Sequence, residues 1–208
     1  GVLGDTGMSA YFGMTDIAKP TADDCVLISG AGGAVGTIAG QIAKLSGARV
    51  VGIVGSQAKA DWLCNTLGYD AAVVRSGDTP LTEAIGEVCP DGVDVFFDNV
   101  GGQTLEAVIS NMNHRGRLAL CGAISGYGVT PHGPSNLFEL ITKELSVEGF
   151  MTHFRHDRYD EAREQLSQWL RDGIIQSPEH RLEGIENVGK AFADLFAGEN
   201  FGKTIVAL

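Results

Sequence analysis

Residues 25–36 read CVLISGAGGAVG, an apolar run that ends in a cluster of glycines. Val26, Leu27 and Ile28 have no polar residue between them, which is typical of a strand that helices cover on both faces. Residues 34–47 follow at once with apolar side chains at helical spacing. The order of strand, glycines and helix therefore predicts an α/β protein with a parallel sheet, and a tight turn before its first crossover helix.

The glycines of this turn are placed to bind a phosphate-bearing cofactor. Gly30, Gly33 and Gly36 leave room for a diphosphate against the backbone and for close packing of helix on strand. The free amides in the first turn of the helix, together with its dipole, attract an anion. The usual spacing GxGxxG needs a glycine where this chain has Val35, so a purely structural turn stays open as the alternative.

Residues 49–54 are predicted to be the second strand. The residues directly after this strand indicate which nucleotide binds. NAD sites carry an Asp or Glu about 20 residues beyond the glycines, where it binds the ribose hydroxyls. Here that place holds Gly55, Ser56 and Gln57, so no carboxylate is positioned to repel a 2′-phosphate. Ser56 offers a hydroxyl and an amide, and Lys59 offers a positive charge. The sequence therefore predicts NADPH, although Lys59 alone could equally be an ordinary surface lysine.

Three further apolar runs are predicted to be strands. They are residues 68–74, 93–98 and 117–121. Arg75 follows the first run, where ligands of open parallel sheets gather. It could approach the adenosine phosphate, stack on adenine or lie in a solvated turn. Asp98 and Cys121 end the other two runs and are interpreted as a strand-end acid and a small buried hydrophobe.

Composition argues against several classes of partner. The formal net charge is -11 and the 15 Lys and Arg form no basic patch, which argues against nucleic acid. No apolar run is long enough to span a membrane and the first residues lack the features of a signal peptide, so we expect no membrane partner and a cytoplasmic location. The four cysteines form no CxxC pair, and His153 and His156 have no third ligand near them, so no metal site is predicted.

Five segments carry a family resemblance. They are GAGGAVG at 30–36, GSQAK at 55–59, FDNVGG at 97–102, CGAISGY at 121–127 and ENFGKTIV at 199–206. Together they resemble the zinc-independent medium-chain dehydrogenase/reductase proteins, in particular the leukotriene B4 dehydrogenase/prostaglandin reductase group and its curcumin-reductase-like relatives. The resemblance covers essentially the whole chain, and five segments in order are more specific than one glycine loop.

The resemblance implies a Rossmann fold, a doubly wound six-stranded parallel sheet in the order 3-2-1-4-5-6. We expect an inter-domain helix or linker in residues 1–20, the dinucleotide-binding domain in 21–175, and a segment in 176–208 that returns to a GroES-like catalytic domain. That domain comes first in the family and is otherwise absent here, so we expect further sequence upstream. A helix at 185–196 and a last strand at 204–207 are predicted in the returning segment, and the strand is expected to lack its normal sheet.

The resemblance further implies NADPH-dependent reduction of the carbon–carbon double bond of α,β-unsaturated ketones or aldehydes, with hydride going to the β-carbon. The family's contacts, carried over residue by residue and joined to those predicted above, give one set of cofactor-binding candidates. The set is Gly30, Gly33, Ala34, Val35, Gly36, Ser56, Lys59, Arg75, Asn99, Cys121, Ile124, Ser125, Tyr127 and Asn200. Tyr127 is also a candidate supporting donor in catalysis, and the family commonly has tyrosine where Arg75 stands.

Two further segments concern the substrate and a partner chain. Residues 126–136 form a loop of glycine and proline that is predicted to be a lid on the substrate side, and residues 145–150 an edge strand. By the resemblance this strand pairs with its twin in a homodimer. Two alternatives stay open: quinone reduction at the same cofactor site, and a nucleotide-binding module without activity of its own. No tyrosine has a lysine four residues later, which argues against the short-chain reductases.

Overall fold

The structure, a computed structural model, describes residues 1–127 and 133–208. Six strands form its central sheet: β1 (Cys25–Ser29), β2 (Arg49–Val54), β3 (Ala71–Val74), β4 (Val93–Asp98), β5 (Met112–Leu120) and β6 (Ser146–Gly149). Their order is β3-β2-β1-β4-β5-β6, and neighbouring strands run parallel. The predicted topology is confirmed, and the carboxyl ends of the strands share one edge of the sheet.

Helices cover both faces of this sheet. They are α1 (Asp5–Phe12), α2 (Ala34–Leu45), α3 (Gln57–Leu67), α4 (Leu81–Val88), α5 (Gly102–Asn111), α6 (Phe138–Thr142) and α7 (Tyr159–Arg171). A further helix, α8 (Val188–Ala197), packs against the last strand of the chain, residues 203–207. α1 continues as a π-helix to Ala18 and ends at Lys19, which has a positive φ of 45°, just before Pro20. In the described ranges no helix combines the length and the apolar character needed to cross a membrane.

The position of β1 in the middle of the sheet explains why residues 26–28 are all apolar. Val26 and Ile28 belong to one hydrophobic cluster together with Phe97, whereas Leu27 belongs to the other together with Phe96. All five side chains are fully buried. Because alternate residues of a strand point to opposite faces, a strand in the middle of a doubly covered sheet needs apolar residues at every position.

Strand β5 begins earlier than the predicted strand at 117–121. Met112 pairs with Val93, and the register then shifts before Arg117 pairs with Val95. Arg115 lies in this irregular part with a positive φ of 64°. The polar residues of the irregular part lack the apolar character of a buried strand, and for this reason the sequence did not predict it.

The last strand, β8 (Lys203–Ala207), has a partner that the sequence did not predict. β7 (Glu179–Glu183) pairs with it in a second, two-stranded parallel sheet. Glu179, Arg181 and Glu183 are exposed, while the alternate positions are half-buried. Charged residues on the outer face gave this segment no apolar run, so only its partner reveals it as a strand.

Candidate functional site

Backbone contacts build the glycine turn between β1 and α2. Gly30 has a φ of 57°, which other residues rarely adopt, and its carbonyl accepts a hydrogen bond from the Gly33 amide over 3.0 Å. A Cβ on Gly36 would lie 2.5 Å from the Gly30 carbonyl oxygen. Helix α2 begins at Ala34, and the glycine at its N-cap offers no side chain to the first turn. Because helix N–H groups point toward the amino end, these amides are left for an anion at the turn.

Residues 198–202 lie directly on this turn. The Gly202 amide donates to the Gly32 carbonyl over 2.8 Å, and Gly33 forms a parallel bridge with Gly202. Asn200 is 5% exposed, and its Nδ2 donates to the Gly202 carbonyl over 2.8 Å. The structure therefore brings Asn200 to the glycine turn, where its side chain holds the backbone of this segment. Its contact with a cofactor stays a prediction.

Lys59 lies beside the same turn, in the first residues of α3. Ser56 is the N-cap of this helix, and its Oγ accepts from the Lys59 amide over 3.4 Å. A Cβ on Gly32 would lie 3.1 Å from Cδ of Lys59, so the lysine stem runs against the glycine turn. The ammonium group donates to the Gly198 carbonyl over 2.6 Å and lies 5.5 Å from the centroid of the Phe201 ring.

The electrostatic setting of Lys59 is unusual for a lysine. The residue is only 6% exposed, and burial lowers the pKa of its ammonium group. Among the described residues no carboxylate forms an ion pair with it. A partly desolvated cation without a counter-charge provides a strong site for an anionic ligand group, because new charge-assisted hydrogen bonds form in a low-dielectric setting.

Arg75 lies at the same edge of the sheet but further from the glycine turn. Its amide donates to the Val54 carbonyl over 2.8 Å, which fixes it just beyond β3. Its exposed side chain lines a cavity of about 760 Å³ together with Gly101 and Ser125. Lys59 does not line this cavity. The structure thus brings Arg75 and Ser125 together and leaves Lys59 at the neighbouring glycine turn.

Asp98 joins the ends of β1 and β4. The sequence predicted only an acid at the end of a strand, without this structural role. It is 1% exposed, and its carboxylate accepts from Ser29 Oγ over 2.6 Å and from the amides of Val100 and Gly101 over 2.9 and 3.0 Å. Ser29 Oγ accepts in turn from the Asn99 amide over 2.8 Å. The carboxylate therefore positions the segment 99–101, which contains a predicted cofactor contact. In the sequence, the feature that could have indicated this role is an acid at the end of a strand, followed directly by a glycine turn.

We expect Asp98→Asn to lower the free energy of unfolding by about 2 kcal/mol. The side-chain NH₂ of the asparagine would face the Ser29 hydroxyl and the backbone amides of 100 and 101, which are all hydrogen-bond donors. Burial raises the pKa of Asp98, while bonds from Ser29, Gly101 and Val100 oppose the rise. A carboxyl with a raised folded pKa stabilises the fold most below its unfolded pKa of about 3.9, and this contribution is lost as pH rises through the folded pKa. The difference in the free energy of unfolding between wild type and variant should therefore shrink as pH rises from the unfolded to the folded pKa of Asp98.

Urea unfolding at several pH values measures this difference. The exposed Asp91→Asn is the matched control and should leave stability unchanged within about 0.5 kcal/mol. A difference for Asp98→Asn that grows as pH rises would mean that the folded pKa is depressed, contrary to the burial argument.

The second cavity at this edge has a volume of about 710 Å³ and is mostly apolar. Its walls include Asp98, Gly101, Leu105, Leu120, Cys121, Tyr127, Phe150, Met151, Phe154 and Arg155. Burial raises the pKa of the Cys121 thiol to about 11, with a hydrogen bond from Ser9 opposing the rise. Cys121 therefore stays a neutral thiol at physiological pH. It lines this cavity, and its predicted contact with the cofactor stays a prediction.

The segment after β5 packs on the segment after β4. The Ile124 amide donates to the Asn99 carbonyl over 3.3 Å, and Ser125 Oγ donates to the Val100 carbonyl over 2.6 Å. Tyr127 is 63% exposed at the mouth of the apolar cavity. The structure thus gathers Asn99, Ile124, Ser125 and Tyr127 as the sequence predicted, although their cofactor contacts stay predictions. Positions 128–132 of the predicted lid lie outside the described residues.

Metal-binding groups are not clustered in the part of the chain that the structure describes: no three His, Cys, Asp or Glu side chains come together there. The His153 ring lies tilted against the ring of Phe154, and His156 packs edge-on against Tyr159.

The fold and the glycine turn define a dinucleotide-binding domain of the Rossmann type. The chain belongs to the zinc-binding dehydrogenase family, whose sequence profile matches residues 34–168. The family description names zinc, but the described side chains do not form a cluster that fits this metal.

Two enzymes and one solved structure illustrate the similarity. Prostaglandin reductase 1 of Bos taurus is 44% identical over 99% of this chain and 63% of its own length, and the NADP⁺-dependent 2-alkenal reductase of Nicotiana tabacum is 39% identical over 99% and 60%. The crystal structure of CurA from Vibrio vulnificus in complex with NADPH superposes with a TM-score of 0.93, at 38% identity over 100% of this chain and 63% of that one. The predicted resemblance is confirmed, and the chain spans about three fifths of these relatives.

Proposed function

We propose that this chain is the NADPH-binding part of an oxidoreductase that reduces the carbon–carbon double bond of α,β-unsaturated ketones or aldehydes. The observation that carries the proposal is the partly desolvated ammonium group of Lys59 beside the glycine turn, with no carboxylate paired to it among the described residues. A 2′-phosphate would supply the missing negative charge. The names of the similar reductases support the same substrate class.

The chain's residues fit such a cofactor. A Cβ on Gly36 would meet the backbone of the turn, so helix α2 can lie this close to the turn only with glycine there. A diphosphate would bind at the free amides of residues 34–36. Ser56 and Lys59 would hold the 2′-phosphate, with Arg75 on the adenosine side. NADPH supplies the hydride when it is bound. Asp98 fixes the segment 99–101 and so orients whatever binds against it.

The apolar cavity suits an enone better than it suits a charged substrate. Leu120, Phe150 and Met151 would exclude water from the reacting carbons. Enones react with thiolates, and the raised pKa of Cys121 keeps this thiol protonated, so it does not compete for the electrophile. Tyr127 at the cavity mouth is proposed as a supporting donor toward the enolate oxygen.

We also propose that the whole protein forms a homodimer through β6. All four residues of this edge strand are exposed, including Val147 at 43%. Phe138 and Ile141 of α6, each 72% exposed, add apolar surface beside it. An exposed edge strand with adjacent apolar residues is suited to pairing with a second copy of itself.

Turnover of a small enone such as 3-penten-2-one tests the proposed reaction in the protein that carries this chain. We expect NADPH-dependent loss of the double bond, with the saturated ketone as product. A quinone is the comparison substrate. Reduction of the quinone alone would assign the site to quinone chemistry, and consumption of neither substrate would leave only nucleotide binding.

A further inference from the structure

The aromatic ring of Phe201 lies against the ammonium group of Lys59. The lysine Nζ lies over the face of this ring, 5.5 Å from its centroid, and donates to the Gly198 carbonyl over 2.6 Å. A cation over an aromatic face is attracted by the quadrupole of the ring, and the attraction grows when the cation is partly desolvated. Lys59 meets this condition, since it is buried. The ring therefore stabilises the charged form of Lys59 without adding a negative charge.

Helix α3 holds the same ring from a second side. Trp62 lies three residues after Lys59 on this helix, so the two side chains share one face. The rings of Trp62 and Phe201 meet in a T-shaped arrangement, with their centroids 5.2 Å apart and an interplanar angle of 76°. Aromatic pairs favour this geometry. The Phe201 ring is thus fixed between an indole and an ammonium group.

The backbone next to Phe201 is tied to the glycine turn. The Gly202 amide donates to the Gly32 carbonyl over 2.8 Å, and the Asn200 side chain donates to the Gly202 carbonyl over 2.8 Å. Gly202 has a positive φ of 73°, and a Cβ there would clash with the carbonyl oxygen of Pro178. These contacts fix the backbone that carries the Phe201 ring.

The length of the lysine side chain makes such support important. A four-carbon stem has many rotamers, and an ammonium group loses this freedom when it binds a phosphate. Contact with Phe201 and Gly198 restricts the Lys59 ammonium group before a ligand arrives, which reduces the entropy that binding costs. An ammonium group has three N–H donors, and the Gly198 carbonyl takes one of them, so donors are left for a phosphate. Unlike a carboxylate, a ring and a carbonyl hold the cation without cancelling its charge.

We propose that Phe201 is a positioning residue for the 2′-phosphate of NADPH, which acts by holding the Lys59 ammonium group beside the glycine turn. The inference rests on the proposed cofactor, and it adds a specificity-determining residue outside the predicted set of cofactor contacts. NADH has no 2′-phosphate, so the effect of the ring should appear in the preference between the two nucleotides. A ring that contacted the shared part of the nucleotides, or that only stabilised the fold, would affect both.

Calorimetric titration of the protein that carries this chain with NADPH and with NADH tests the proposal. We expect Phe201→Leu to weaken NADPH binding about 5-fold and to leave NADH binding unchanged within about twofold. Phe201→Tyr keeps the ring and should bind both nucleotides as wild type does. Phe192→Leu removes an exposed ring from α8 and is the matched control, expected to change neither affinity.

A double-mutant cycle tests whether the ring acts through the lysine. In the Lys59→Gln background, Phe201→Leu should leave NADPH binding unchanged within about twofold, because the cation that the ring holds is gone. The same loss of NADPH affinity in both backgrounds would overturn the proposal. Where Phe201→Leu fails to fold, Phe201→Met takes its place, since its flexible side chain fills a similar space without a ring.

The comparison of the two nucleotides separates this proposal from that of the cofactor. If wild type prefers NADPH and Phe201→Leu keeps the whole of that preference, only the role of Phe201 is overturned. An equal loss of NADPH and NADH affinity in Phe201→Leu would overturn it as well. If wild type binds NADPH and NADH equally, the proposed cofactor fails and the role of Phe201 fails with it.

Discussion

Lys59→Glu is expected to raise the dissociation constant for NADPH by about 100-fold or more, since it replaces the cation with a repelling charge. Lys59 is 6% exposed, and its ammonium group donates to the Gly198 carbonyl. Among the described residues no carboxylate pairs with this ammonium group, so a 2′-phosphate would be its first anionic partner. Calorimetric titration of wild type and variant measures the change.

Two further variants separate charge from folding. Lys59→Gln removes the charge and leaves a neutral hydrogen-bond donor on a side chain one atom shorter, and should weaken NADPH binding about 10-fold while leaving NADH binding unchanged. Lys19→Glu makes the same charge reversal at an exposed residue and should change neither affinity. If Lys59→Glu bound NADPH as tightly as wild type, the 2′-phosphate would not be bound at this lysine.

Gly36→Ala is expected to lower the free energy of unfolding by about 2 kcal/mol and to raise the dissociation constant for NADPH at least about 10-fold. The new Cβ would lie 2.5 Å from the Gly30 carbonyl oxygen and 2.6 Å from Cα of Ala31, and both are backbone atoms. Tyr69, which is buried, donates from its hydroxyl to the Gly36 carbonyl over 2.8 Å. Helix α2 therefore cannot move away without losing this bond, and the turn must open instead.

Gly189→Ala is the matched control for this variant. It lies in α8 with nothing within 4 Å of the added carbon, so alanine should stabilise the helix by up to about 1 kcal/mol. Urea unfolding of both variants compares the two effects. Equal stability of Gly36→Ala and wild type would show that the turn tolerates a side chain, and the close packing of α2 on β1 would then not depend on glycine.

The sheet could be predicted because its information is local. Each central strand is an apolar run, and each alternates with a helical pattern, so periodicity alone identifies the elements. The resemblance supplied their order. β7 was missed because its outer face is charged, and the early part of β5 was missed because a register shift places polar residues in the strand. In both cases pairing with a distant strand determines the conformation, and a sequence window does not contain that partner.

The site could be predicted only in part, for a related reason. The glycine turn and Lys59 were found because strand, glycines and helix follow one another in the chain. The bond from Ser29 to Asp98 and the contact of Gly202 with Gly32 join residues far apart in sequence. Asp98 therefore looked like an ordinary acid, and Asn200 came only from the resemblance. Long-range hydrogen bonds decide these roles, and no local pattern encodes them.

Parallel calorimetric titration of the unmutated protein with NADPH and with NADH tests the central claim most directly. We expect NADPH to bind about 100-fold more tightly, because the 2′-phosphate is the one group that distinguishes the two and the Lys59 ammonium is the charge that would bind it. Equal affinities, or tighter binding of NADH, would contradict the assignment of Lys59 and with it the proposed cofactor.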